Sequence, residues 1–376
     1  MKKLFWIFIA SPVLFSARIW AQETVKDTVF LIPFADTVLL DEVVVKAHKT
    51  IPMNNRWSDL QPVDLVTVAG ANGNLYKALE TLPGTQIQGE SGRLLVRGGS
   101  SDETQTYIDG MHVLDPYTST AENIPARGRY SPFMFSGINL STGGHSQEYG
   151  EALSAVLPLE TKDNSRINKV GISPSTVGIG GGGNHAFRNA SLALNLDYQN
   201  LALYNKVYPG RIDFKKPYQM FSGATQFRYT PSGSSVFKIY VGYDRTDYSN
   251  YTDNNRYLFC LGENNVYLNS TFRTAISGGW EWFSGMAYSL FDRKVDGAVT
   301  EGDHWCEKQA ELHFKTKLSK KFHPTFRMDV GFESFLRWYE TRYSQVSVAD
   351  TKEISPTIEA VFGTVSYYPV ENLKAE

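Results

Sequence analysis

The sequence has little of what most function classes require. Its 37 basic residues are matched by 39 acidic ones, so no charge excess points to a nucleic-acid partner. Beyond the first residues no stretch reaches 18 consecutive apolar positions, which excludes a membrane-spanning helix. There are only two cysteines, Cys260 and Cys306, with no Cys-x-x-Cys between them. His-Glu-x-x-His and Gly-x-Ser-x-Gly are also missing. "GIGGGG" at 178–183 satisfies Gly-x-Gly-x-x-Gly, but a dinucleotide site needs a helix to follow. Here "HAFRNASLALNLDY" continues as an alternating run, so the glycines read as a hairpin loop. Asp303, His304 and Cys306 lie close together, yet three scattered donors in a loop do not make a metal site. Neither catalysis nor a cofactor nor a metal is expected.

What the chain does have begins at its start. Lys2 and Lys3 precede an apolar run, Leu4–Phe15, followed by Ala17-Arg-Ile-Trp-Ala21. A basic start, a short greasy stretch and a small residue before polar sequence describe a secretory signal peptide, assigned to 1–21. The run is shorter than the roughly 20 residues of a spanning helix. No cysteine lies near the cleavage region, which argues against a lipoprotein.

The rest is rich in aromatic residues and glycine, with 21 Tyr, 22 Phe, 7 Trp and 31 Gly at 42% hydrophobic. Exported chains of this kind fit transmembrane β-barrels or secreted β-sandwiches. Residues 164–376 decide between the two. In "SLALNLDY" Leu192, Leu194, Leu196 and Tyr198 alternate with Ala193, Asn195 and Asp197. "VFKIYVGYD", "AELHFKTKL" and "FRMDVGFES" alternate in the same way, each giving one greasy and one wet face. About ten strands are expected, near 168–180, 188–198, 200–207, 221–230, 236–247, 264–274, 280–291, 308–318, 325–340 and 356–368. Tight connections at 230–235, 276–279 and 319–324 alternate with long polar stretches near 247–263, 292–307 and 341–355. Short turns at one end and long loops at the other belong to an outer-membrane barrel. Ahead of it, 22–57 is a polar leader and 58–163 a mixture of short strands, turns and one brief helix.

That middle region resembles the plug domain of TonB-dependent outer-membrane receptors. The resemblance rests on "LYKALETLPGTQI" (75–87), "LLVRGG" (94–99), "TYIDGMHV" (106–113) and "INLSTGGHSQEYGEALSAVLPLETKD" (138–163), in order. It departs where Leu153-Ser154-Ala155 replaces the usual Ser-Gly, and where Pro-Leu-Tyr-Val is missing before Ile-Asp-Gly. The second departure leans toward an importer of siderophore–metal chelates or cobalamin rather than of glycans or peptides. The expected fold is therefore mainly β: an α+β plug followed by an incomplete, open antiparallel barrel of about ten strands.

The resemblance implies an outer-membrane receptor with three partners: a small nutrient ligand, membrane lipid, and the inner-membrane TonB complex. "DEVVVKAH" resembles a TonB box, in which Asp41, Glu42, Val43, Val44 and Val45 would add as a strand to TonB. The alternative is that these residues form the first plug strand. Arg97 and Glu148 are candidates for latching plug to barrel wall, with ordinary solvated charge as the competing reading. Tyr117, Arg127, Arg129 and Tyr130, in the polar segment 115–133, are candidates for touching ligand, or else for packing against the wall. The rival to energised import is an outer-membrane binding or adhesion protein of the same architecture.

Two further expectations concern the barrel. Cys260 and Cys306 fall in stretches read as external loops, in a chain that passes an oxidising compartment, so a disulfide between them is expected. A barrel that encloses a plug takes about 22 strands, so these residues are expected to leave the sheet open, with about 250 more needed for closure.

Overall fold

The structure is a computed structural model. It describes residues 57–60, 65, 67–71, 73–87, 91–119, 125–162, 168–209, 213–252, 257–298, 301–323, 325–345, 348–370 and 373–375. The signal-peptide residues and the TonB-box-like segment, Asp41 to Val45, lie outside the described residues.

The first body is a five-stranded sheet in the order β1-β6-β7-β4-β5. Its strands are β1 (Trp57–Leu60), β4 (Thr104–Ile108), β5 (Met111–Val113), β6 (Phe135–Ser141) and β7 (Ala155–Thr161). Only β4 and β7 run parallel; the other pairs are antiparallel. A short helix α1 (Leu75–Leu79) and the hairpin of β2 (Thr85–Ile87) with β3 (Leu94–Val96) pack beside it. Asn74 caps the helix through its side-chain oxygen, which accepts from Tyr76 N. Leu75, Leu79, Leu94, Val96, Ile108 and Leu157 close the core.

The second body is a twelve-stranded sheet. It comprises β8 (Lys169–Ser175), β9 (Gly178–Ala186), β10 (Ala190–Asn200), β11 (Phe214–Ser232), β12 (Ser235–Thr252) and β13 (Tyr257–Ile276). After these come β14 (Trp280–Asp296), β15 (His304–His323), β16 (Phe326–Gln345), β17 (Val348–Ile354), β18 (Thr357–Val370) and β19 (Leu373–Ala375). Neighbours pair antiparallel in sequence order, except that β17 and β18 share β16. Those two form one wall strand interrupted at Pro356, whose carbonyl accepts from Arg337 N. Among the described residues β8 and β19 do not pair, so the sheet is an open barrel wall.

Period-two alternation sorts the side chains as the sequence requires. Leu192, Leu194, Leu196 and Tyr198 are 41–47% exposed on the outer face. Along β15, Phe314 and Leu318 point out, while Glu311, His313 and Lys315 are buried on the inner face. An apolar exterior over a polar interior is what lipid on one side and protein on the other demand. Aromatic rings gather near the tight turns, where Phe272 meets Trp282 at 5.9 Å and Phe322 meets Phe326 at 5.6 Å. Gly278 and Gly279, both at positive φ (74° and 78°), make one of those turns.

Three expectations are corrected. Residues 202–207 form a helix, α2 (Ala202–Val207), rather than a strand. "GIGGGG" is most of strand β9, hydrogen-bonded on both sides, rather than a hairpin loop. The stretches near 247–263, 292–307 and 341–355 are mostly strand: β11 to β16 run to 17–20 residues. A membrane crossing takes only about 9–11. Polar residues there mark strands that continue beyond an apolar belt, which composition cannot separate from loops.

Candidate functional site

The first body sits on the inner face of the large sheet, and its contacts are polar and buried. The Ile-Asp-Gly motif forms the β4–β5 hairpin turn, with Asp109 at φ 50° and Gly110 at φ 85°. Positive φ at both central residues is the tight turn that suits twisted strands, and Asp-Gly is its favoured sequence. Asp109 then works in both directions. Its carboxylate accepts from Thr161 N at 3.0 Å and Thr161 Oγ1 at 2.6 Å within the small body. It also accepts from Lys238 Nζ of β12 at 3.0 Å. Asn269 Nδ2 donates to the Ile108 carbonyl at 2.9 Å, and Tyr267 Oη to the Met111 carbonyl at 3.3 Å. The hairpin is thus fixed to β12 and β13.

A second attachment centres on Arg129. Residues 115–119 and 127–129 run antiparallel, with Thr118 N donating to the Arg127 carbonyl and Arg129 N to that of Pro116. This places the Arg129 guanidinium, 0% exposed, against the wall. Nη2 donates to Glu263 Oε1 at 2.6 Å and to Asp115 Oδ2 at 3.2 Å, while Nη1 binds the Asp244 carboxylate. Glu263 is shared with Arg293 (3.0 Å) and with the Ser119 hydroxyl. Burial alone would weaken Arg129's hold on its proton; Asp244, Glu263 and Asp115 outweigh that and push its pKa well above the ordinary arginine range.

The third attachment runs along β15 and β16. His112 Nδ1 lies 2.6 Å from Glu311 Oε1 and its Nε2 2.7 Å from Gln105 Oε1. Gln105 Nε2 donates to the Asp102 carbonyl, which fixes its oxygen toward the ring. Both ring nitrogens therefore face side-chain oxygens. Neighbouring His313 is the reverse case: its Nδ1 accepts from His112 N at 3.0 Å and so carries no proton. Glu311 continues to Arg337 (2.6 Å), which forks onto Glu151 at 2.6 and 3.0 Å.

Asp109, His112 and Arg129, the plug side of these contacts, lie in a region that sequence comparison identifies. Residues 64–156 match the family model described as the TonB-dependent Receptor Plug Domain. The chain carries a TonB-dependent receptor plug. Solved structures of similar fold include the copper transporter OprC, at TM-score 0.64 and 11% identity, covering 85% of this chain and 52% of that one. The outer membrane transporter YddB from Escherichia coli gives 0.62 and 13%, covering 83% and 55%. The ferric enterobactin receptor PfeA from Pseudomonas aeruginosa gives 0.61 and 12%, covering 86% and 56%. The chain spans about half the length of these structures. No curated protein matches it in sequence.

The plug places the sequence candidates as follows. Glu148 faces the wall, 2.5 Å from Lys317 Nζ and 4.0 Å from Lys315 Nζ, and its carbonyl accepts from Lys315 at 2.6 Å. Arg97 is exposed at φ 51° and makes no ion pair among the described residues. Arg129, read as a ligand contact, is enclosed by three carboxylates instead. Tyr117 is buried against Tyr76 at 4.4 Å, its hydroxyl accepting from Leu94 N. Tyr130 is buried among Tyr240 and Tyr267. Arg127 is half-buried, and desolvation draws its pKa down.

Cys260 and Cys306 are both free. They lie in β13 and β15, opposite Asp296 and Lys294 of the intervening β14. Two strand spacings, about 9.5 Å, separate them. A disulfide takes Cα atoms within about 7 Å, so the expected bridge is not formed. Sequence reasoning missed Asp109, His112, Asp244, Glu263 and Lys238 as contacts. The usable signal was charge on the wet face of otherwise regular wall strands.

Proposed function

We propose that the chain supplies the plug and barrel wall of an outer-membrane receptor that binds a scarce nutrient outside the cell and imports it when TonB engages residues 41–45. The observation that carries this reading is a plug whose turn motif, arginine and histidine are each bound into the inner face of a lipid-type barrel wall. Such contacts are dry enough to hold at rest and specific enough to be broken by a directed pull. The signal-peptide-like start supports export, and the belt of exposed apolar side chains supports a place in the outer membrane.

For the nutrient we propose a siderophore–metal chelate or cobalamin. Structures of similar fold carry the names of copper, ferric yersiniabactin, ferric enterobactin and ferric citrate transporters, which favours a metal or its chelate. The test is uptake of radiolabelled ferric chelates by cells with and without TonB, using the natural receptor and its Val44→Pro variant. Proline removes a backbone donor and spoils strand addition. The reading expects uptake to be lost without TonB and in the variant, while binding at the cell surface persists. Binding with no uptake in any strain would favour a non-energised binding protein.

A further inference from the structure

β5 is the last strand of the plug sheet, so backbone N–H groups along its free side need partners from outside that sheet. His112 N finds one in a side chain of the wall: it donates to Nδ1 of His313 in β15, at 3.0 Å. A ring nitrogen that accepts holds no proton, so neutral His313 keeps its single proton on Nε2. The ring is buried and lies flat on Phe335, with centroids 4.2 Å apart and planes 9° from parallel. Such a stack leaves sliding within the ring plane as the easiest movement.

The other ring nitrogen is less well served. Nε2 lies 3.7 Å from Glu333 Oε2 of β16, and neither atom has a hydrogen-bond partner among the described residues. Both are buried, so each unmade bond costs free energy. Charged groups approach the ring from several elements. β15 itself brings Glu311 and Lys315, whose Nζ is 3.9 Å from the same Glu333 oxygen. β16 brings Glu333 and Arg337, the latter bound to Glu311. The plug brings the His112 ring, 6.4 Å away, and Glu148, whose carbonyl holds Lys315. β14 presents uncharged Ala287 opposite His313.

A second proton on His313 has one place to go, Nδ1, and there the His112 N–H already points. Two N–H groups cannot face each other at 3.0 Å, so charging the ring breaks that bond. The imidazolium instead has the Glu333 carboxylate close by, and a charge-assisted hydrogen bond there would satisfy both unpartnered atoms. We propose that His313 is a proton-operated catch between wall and plug: neutral, it holds β5 through His112 N; protonated, it moves to Glu333 and lets β5 go. The released form binds one proton more than the held form, so the catch weakens as pH falls. This regulation goes beyond the import reading, and its test needs neither TonB nor nutrient.

The experiment is hydrogen–deuterium exchange on the full receptor in detergent, corrected for the intrinsic pH dependence of amide exchange and read by mass spectrometry at β5. Between about pH 7.5 and about pH 5, a range that brackets the ordinary imidazole midpoint near 6.5, protection of β5 should fall by about tenfold or more. Strand β7, in the middle of the plug sheet, should change by less than about twofold. His313→Asn, whose side-chain oxygen can accept from His112 N but takes up no proton, should flatten the fall. Glu333→Gln removes the anion that receives the charged ring and should lower the midpoint by about half a pH unit or more. If His313→Asn fails to assemble, Glu333→Gln decides alone. No fall in the parent, equal falls in the parent and His313→Asn, an unmoved midpoint in Glu333→Gln, or a parallel loss in β7 would each overturn the proposal.

Discussion

Arg129 of the plug and Glu263 of β13 form a buried ion pair at 2.6 Å, although 134 positions separate them in the chain. The carboxylate is held from the other side by Arg293, and the guanidinium by Asp115 and Asp244. Neither partner is exposed to more than a trace of solvent, so the usual discount for surface pairs does not apply.

Replacing Arg129 by Met should therefore loosen the plug. It would leave Asp115, Asp244 and Glu263 facing one another with one cation fewer. Breaking a buried pair by removing one partner costs about 3–5 kcal/mol. Arg129→Lys should recover only part, since an ammonium cannot reproduce the fork. Limited proteolysis of purified outer membranes checks this: cleavage in the plug should rise in the order parent, Lys, Met. Arg97→Met, at an exposed position, serves as the control and should stay near the parent.

Asp109 combines a backbone role and a charge role that two variants separate. Asp109→Asn keeps a residue that tolerates positive φ and loses the charge facing Lys238. Asp109→Ala loses both, adding about 1–2 kcal/mol for the left-handed backbone. Thermal unfolding should rank the parent above Asn and Asn above Ala. If Asn and Ala melt together, the turn conformation contributes nothing separable.

How much of this was legible in the sequence follows from what periodicity encodes. Leu192 to Tyr198 announce a strand and its outer face because alternation is a property of the strand itself. The ordered plug motifs were equally plain, and Ile-Asp-Gly is a turn whose chemistry is local. Pairings are different. Nothing near Arg129 marks Asp244 or Glu263 as its partners, since wall register decides which inward charge meets which plug residue. Arg97, singled out for its place before two glycines, instead occupies a positive-φ position of its own. "GIGGGG" misled for a related reason: glycine usually breaks a strand, but here Gly180 to Gly183 remove side chains from both faces of a strand held by both neighbours.

The cysteines give a further check on register. With β14 between them, Cys260 and Cys306 should remain thiols in the native protein. Mass spectrometry after alkylation without reduction should find both modified. An intramolecular bridge would mean that β13 and β15 are closer than the sheet order allows.

The central claim is that this plug is worked by TonB through its leader. The most direct measurement is site-directed cross-linking in living cells, with Val44→Cys in the full receptor and single cysteines along TonB's receptor-binding strand. The account predicts disulfide-linked receptor–TonB adducts at alternate TonB positions, as strand pairing requires. Adducts should increase when nutrient is supplied. Absence of any adduct from Val44→Cys, with receptor present in the outer membrane at normal level, would contradict it.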